Sequence, residues 1–472
     1  MNGTRVVGRL GGVMLVALSG CADRVILEEG LLVDTDGGTD GSMSATDTDS
    51  GDDDGADGST GDPACPPGSA DCPCPDGQVP SDGTCVPAEV ETIEAVVPVD
   101  QQAFAGDLIA QAPAVQLLSG GAPVAGVPVT FAAAGLPGGL LGTVEAVTDA
   151  EGIASAQSWE LGKLDGNYFV RAQVPSLPDL GFVDFTGRTI SDFEIQLEYV
   201  QPATESQTAA FETARLRWQG ALVNALPAIA GDLSDFAPNC GVFGPGGTAS
   251  VTGVLIFVQL QEIDGPGGEN GNILGQAGPC ALRDDGSPFL GVMTFDTFDL
   301  DGLEAEGSLE TVILHEMGHV LGVGTLWQER GLLVNPSVPN NAGADTHFVG
   351  PAATEVFFDL LGGQPFDGSI VPVENNAQPG SSDGHWRETV VVDELMSPRL
   401  GGFGEVAPLS TLTIAGLGDH GYYTPNLLAA DDWTLPPQGL VGPGTVRHGH
   451  VGTDTVLAPR WKLDEDGNWV EL

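Results

Sequence analysis

The sequence predicts a multidomain chain in which a β-sandwich precedes an α+β domain built around one metal-binding helix. Three observations predict it. Between about residues 89 and 188, short runs alternate: Val127, Val129 and Phe131, then Tyr168, Val170, Ala172 and Val174 against Phe169, Arg171 and Gln173. That is the period of half-buried strands. From Ser191 the periods mix. Phe193, Ile195, Leu197 and Tyr199 alternate, whereas Ala210, Phe211, Ala214, Trp218, Ala221 and Leu222 recur at helical spacing, an α+β order. The third observation is the stretch EGSLETVILHEMGHVLG over 306–322. Its apolar residues fall on one helical face, and His315 and His319 stand one turn apart with Glu316 beside them.

The chain begins with Arg5 and Arg9, then a short apolar run over 11–18, then Leu18-Ser19-Gly20-Cys21. The run is too short to remain as a membrane span. It resembles a bacterial lipoprotein signal. The resemblance implies removal of residues 1–20, a lipid on Cys21 and, with Ala22 following, an outer-membrane address, with the side on which the body lies left open. Residues 21–64 read as an acidic linker, because ten Asp between Asp34 and Asp62 stand without a Lys or Arg. Such a segment cannot bury a core and extends by self-repulsion.

Seven cysteines less one lipidated leave six. Cys65, Cys72, Cys74 and Cys85 cluster in a small module over 65–88, and Cys240 and Cys280 lie far apart. An even number outside the cytoplasm reads as three disulfides, with the connectivity of the clustered four open. The net charge of −51, from 66 acids against 15 bases, argues against nucleic acid as a partner and against charge-driven docking on anionic lipid. Any membrane attachment is expected through the lipid alone.

Asp149-Ala150-Glu151-Gly152 marks a turn between strands of the sandwich. The runs AGVPVTF, VTDAEGIASAQSWEL and GNYFVRAQV resemble bacterial immunoglobulin-like domains of the invasin and intimin kind. The likeness implies a spacer or adhesive module over 89–188. In the following domain, over 189–425, Val254–Val258 and Val292–Phe295 read as apolar strands. Asp296, Asp299 and Asp301 lie close together and could hold calcium, but a solvated turn is the expectation. Ser308 is the expected helix N-cap and Gly322 the expected stop. Residues 426–472 read as a C-terminal tail.

Two imidazoles one turn apart can ligate one divalent ion, with Glu316 placed to take a proton from water. H-E-x-x-H-x-x-G resembles the metzincin peptidases, in which a third His follows shortly after the Gly. Here that position is Thr325. The leishmanolysins insert a long segment before the third His, and this chain resembles their bacterial relatives over roughly 192–425. The runs that carry the likeness are GPCALRDDGSPFLGVMTFD, GTLWQERGLL, DELMSP and LSTLTIAGLGDHGYYTP. The resemblance implies a metzincin-type zinc endopeptidase acting on protein or peptide substrates. By that likeness one Zn²⁺ would be held by His315, His319 and His385, with Glu316 as general base and Met396 in a turn beneath the metal. His385 is favoured because SSDGHWRE stands just before DELMSP; His347, His420, His448 and His450 are the other histidines available. Pro398 stands where some metzincins carry a helper Tyr. Of the family's further disulfides only Cys240 and Cys280 remain as a pair. The rival reading is a surface adhesin that binds without cleaving.

Overall fold

The structure, a computed structural model, describes residues 78–81, 84–87, 89–265, 272–363, 370–376, 381–399, 407–422, 425–435 and 452–472. The signal-like segment with Cys21, the acidic linker, Cys65, Cys72, Cys74, Tyr423, His448 and His450 lie outside the described residues. Of the cysteine module, only the pairing of Gln78–Ser81 with Thr84–Pro87, the strand of Cys85, is described. No helix among the described residues is long and apolar enough to cross a membrane.

Between Thr92 and Thr189 two sheets pack face to face. One orders Ile153–Ser155, Ala114–Ser119 and Thr92–Ala95; the other orders Asp100–Ala103, Phe182–Thr189, Asn167–Gln173, Pro128–Gly135 and Glu145–Val147. In Asn167–Gln173 the residues Tyr168, Val170 and Ala172 point inward and their neighbours outward, as period-two alternation requires. They meet Val115, Leu117, Val129, Phe131, Trp159 and Phe185 in one core.

The second domain carries the labels used below. Strand β1 (Ile195–Tyr199) leads to helix α1 (Glu205–Ala221), which Thr204 starts with a reciprocal capping box to Gln207. Strands β2 (Val254–Gln261), β3 (Asn272–Leu282) and β4 (Pro288–Asp296) follow, then helix α2 (Leu309–Val320) and helix α3 (Thr411–Asp419). The sheet order is β1-β2-β4-β3; the first three strands are parallel and β3 runs antiparallel to β4. β2 and β4 are apolar almost throughout because both faces are covered. Val254, Ile256 and Val258 pack with Phe211, Trp218, Val312 and Ile313 of the helices. Leu255 and Phe257 face a second core with Phe236, Phe289 and Leu290. That core also holds the bonded pair Cys240–Cys280, with Cα atoms 5.1 Å apart.

Three differences from the sequence expectations have physical causes. Ser308 sits at the start of α2, but its hydroxyl makes no capping bond. Asp296 is fully buried rather than solvated: it accepts the backbone N–H groups of Ile263, Asp264, Gly265 and Phe298 and so organises its turn. Residues 452–472 are not an unstructured tail. They form β5 (Gly452–Val456), β6 (Trp461–Leu463) and β7 (Trp469–Glu471), and β5 and β6 pair in parallel with the outer edge of β3.

The sandwich docks on α1 and on residues 426–431. Asn426 donates to the carbonyls of Ala105 and Gly220, Gln219 to Asp165, and Lys163 pairs with Asp431 at 3.1 Å.

Candidate metal centre

Helix α2 is buried on nearly every side, which sets its environment. Trp218 of α1 donates its indole N–H to the Leu314 carbonyl at 2.9 Å and fixes the helix against its neighbour. After Val320 the chain turns sharply at Gly322, whose φ of +113° suits glycine. A β-carbon there would also stand 2.8 Å from a ring nitrogen of His420.

His315, His319 and His385 are all buried and converge. Their Nε2 atoms form a triangle with sides of 3.1, 3.1 and 3.2 Å. Each Nδ1 faces a backbone carbonyl: Leu395 at 2.6 Å for His315, Val323 at 2.8 Å for His319 and Ser381 at 2.8 Å for His385. A carbonyl can only accept, so each Nδ1 must carry the proton. In the neutral ring each Nε2 then presents a lone pair. Three lone pairs at this spacing cannot hydrogen-bond to one another and repel unless a cation lies among them. A triangle of this size has a circumscribed radius of about 1.8 Å, within the ~2.0–2.1 Å of a zinc–nitrogen bond, so one ion can reach all three. The donor set therefore fits a divalent metal with nitrogen preference, and the carbonyls are the outer partners such ligands need.

Glu316 is buried beside the ligands, and β3 backs its carboxylate. A β-carbon on Gly275 would stand 2.7 Å from its Oε1, so only glycine lets the strand come this close. Met396 lies beneath the helix, where a β-carbon on Gly318 would meet its sulfur at 2.7 Å. Met396 thus packs between the two helical ligands rather than ligating.

The turn that holds Met396 is pinned by Glu394, which the sequence did not single out. Its Oε2 accepts the Met396 N–H at 2.6 Å. Its Oε1 accepts the Thr413 hydroxyl at 2.6 Å, the Ser410 hydroxyl at 2.7 Å and the Ser410 N–H at 3.2 Å, all from the start of α3. Burial pushes this carboxyl upward, and these hydrogen bonds pull against the rise. Thr413 in turn accepts the Trp386 indole N–H at 2.8 Å. One carboxylate thereby reaches the loop of Leu395, which orients His315, and the neighbour of His385.

The other described histidines, His347 and His420, lie elsewhere. His347 sits in a short strand with Nδ1 on the Asp345 carbonyl at 2.7 Å. His420 is buried behind Gly322, and burial with Arg330 nearby pushes it down to about 3, so it is neutral. Tyr422 donates its hydroxyl to the Leu321 carbonyl at 2.9 Å and braces the turn from behind. Glu388, near the Met396 turn, is pushed up to about 7 by burial.

The comparisons with known proteins bear on this domain first. The family model described as leishmanolysin matches residues 250–435, the stretch that contains the three histidines, Glu316 and Met396. Residues 250–435 are thus similar to the leishmanolysin family. β1 and α1 lie before the matched residues. No curated protein matches the chain. Among solved structures, the C-terminal fragment of intimin in complex with the intimin-binding domain of its translocated receptor is similar at 22% identity. That match covers 22% of this chain and 33% of that one, with a TM-score of 0.17. The D0-D1 domain of intimin is similar at 24% identity, covering 21% and 44%, with a TM-score of 0.16. Its D00-D0 domain gives 18%, 21% and 44%, also with a TM-score of 0.16. The chain thus spans less than half the length of these structures.

Proposed function

We propose that the chain is a zinc-dependent endopeptidase of extracellular proteins, tethered to the cell envelope through a lipid on Cys21. The observation that carries the hydrolytic part is the convergence of three proton-free Nε2 atoms beside a buried glutamate, inside a leishmanolysin domain. The lipid anchor and the envelope address rest on the sequence of residues 1–21.

His315, His319 and His385 would hold the ion. When bound, zinc supplies Lewis acidity to a water and to the scissile carbonyl, and stabilises the charge that develops on the carbonyl oxygen. The protein's own groups do the rest. The carbonyls of Leu395, Val323 and Ser381 hold the rings in one tautomer and orientation. Glu316 takes a proton from the attacking water and returns it to the leaving amine. Its contact with β3 fixes the carboxylate on the side of the helix that faces the sheet edge.

Glu316→Gln tests this. Zinc content should stay near one per chain, while hydrolysis of a general protein substrate falls by roughly 10²–10⁴-fold. Hydrolysis retained in that variant removes Glu316 as the base.

A further inference from the structure

Helix α2 fixes His315 and His319, but His385 stands in a turn over residues 381–385. Asp383 shapes that turn. Its φ of +67° lies in the left-handed region, where a residue with a β-carbon persists only if its surroundings hold it. The bend brings the Ser381 carbonyl back to Nδ1 of His385, four residues on, at 2.8 Å.

What holds Asp383 comes from 46 residues earlier in the chain. Its carboxylate accepts the Ser337 N–H at 2.8 and 3.0 Å, the Ser337 hydroxyl at 2.7 Å and the Val338 N–H at 2.9 Å. Ser337 is fully buried. Hydrogen bonds to an ionised acceptor are the stronger kind, and three donors share this one. The Asp383 N–H donates to the Glu374 carbonyl at 2.9 Å, and the Glu374 N–H to the His385 carbonyl at 2.9 Å. Both partners flank one small antiparallel sheet of Leu333–Val334, His347–Phe348 and Val371–Pro372. From its middle strand Phe348 meets Trp386, the neighbour of His385, edge to face at 5.4 Å. The turn has no slack on its other side. A β-carbon on Gly324 would overlap the Gly384 carbonyl oxygen. The turn after α2, whose Val323 carbonyl orients His319, thus packs backbone to backbone against the residue between Asp383 and His385.

We propose that Asp383 is the positioning residue of the third ligand. Its carboxylate does not ligate; it locks residues 337–338 to the turn and so fixes where Nε2 of His385 points. The stretch between α2 and His385 is thereby part of the frame of the metal centre. The inference rests on the three-histidine reading of that centre.

Three variants of the full-length chain test it. Asp383→Gly keeps the left-handed backbone, which glycine adopts freely, and removes the acceptor of all three donors. Asp383→Asn also tolerates that backbone and keeps one oxygen. Ser337→Ala leaves the turn untouched and removes one donor from the far side. Each chain is stripped with chelator. Its zinc dissociation constant is then measured by chelator competition, and its unfolding midpoint with and without zinc. For Asp383→Gly the dissociation constant should rise about 10–100-fold, as when an outer partner of a ligand is lost. Ser337→Ala should raise it about threefold to tenfold, the effect of one hydrogen bond. Asp383→Asn should recover part of the loss seen with glycine. The zinc-induced rise in midpoint should shrink in the same order, because that rise follows affinity. A role confined to stability lowers the stripped and loaded midpoints equally and leaves the dissociation constant unchanged; that result overturns the inference. If Asp383→Gly does not fold, wild-type zinc affinity in both Asp383→Asn and Ser337→Ala overturns it equally. Wild type that takes up no zinc removes the metal-site reading itself, whereas tight uptake by wild type and Asp383→Gly alike removes only the role of Asp383.

Discussion

Glu394→Ala removes the one carboxylate that ties two ligand loops to α3. The substitution leaves the Met396 N–H, the Ser410 N–H and the hydroxyls of Ser410 and Thr413 without their shared acceptor. The hydroxyls can turn to other partners; the two backbone donors cannot. Each buried backbone donor left without an acceptor costs about 1–3 kcal/mol, so the chemical-denaturation midpoint should fall clearly. The ligands should feel it as well. Leu395, whose carbonyl orients His315, loses its brace, and Trp386, beside His385, loses a fixed partner in Thr413. Outer partners of metal ligands contribute about 10–100-fold in metal affinity, so the zinc dissociation constant should rise by that factor in a chelator competition. Glu394→Gln keeps one oxygen for the α3 donors and turns an amide N–H toward the Met396 N–H. It should lose less stability than the alanine variant while still weakening zinc. A Glu394→Ala chain that unfolds cooperatively and binds zinc as tightly as wild type would refute the reasoning.

Two further expectations follow from single contacts. Gly275→Ala places a methyl group against the Glu316 carboxylate, so kcat should fall at least tenfold with zinc content unchanged; an unaltered kcat means the carboxylate has room to move. Glu388 is pushed from 4.5 up to about 7 by burial. Its folded-state pKa is the higher one, so the stability it contributes is complete below about pH 4.5 and lost as pH rises through 7. Glu388→Gln, which cannot ionise, should therefore be more stable than wild type at pH 8 by up to about 3 kcal/mol, with the gain absent at pH 4. An equal difference at both pH values contradicts this assignment.

How much of this was readable beforehand depends on where each residue's information lies. Helix α2 was legible because its apolar face, two histidines and glutamate fall within one short segment. His385 lies 66 residues beyond His319, and only the family likeness around DELMSP pointed to it. Glu394 reads locally as an ordinary surface acid beside Leu395 and Met396; its burial is decided by Ser410 and Thr413, which arrive from another helix. Asp296 escaped for the same reason, because its four donors come from a loop more than thirty residues earlier and from Phe298. Strands β5 to β7 are short and lack sustained alternation. Pairing with a long neighbouring edge makes them strands, and no local propensity records that edge.

Zinc uptake by the chelator-stripped chain in equilibrium dialysis, compared between wild type and His385→Ala, addresses the three-histidine centre most directly. Wild type should take up one ion per chain at micromolar zinc and His385→Ala should take up essentially none. A full equivalent of zinc retained by His385→Ala, with wild-type affinity, would contradict the account.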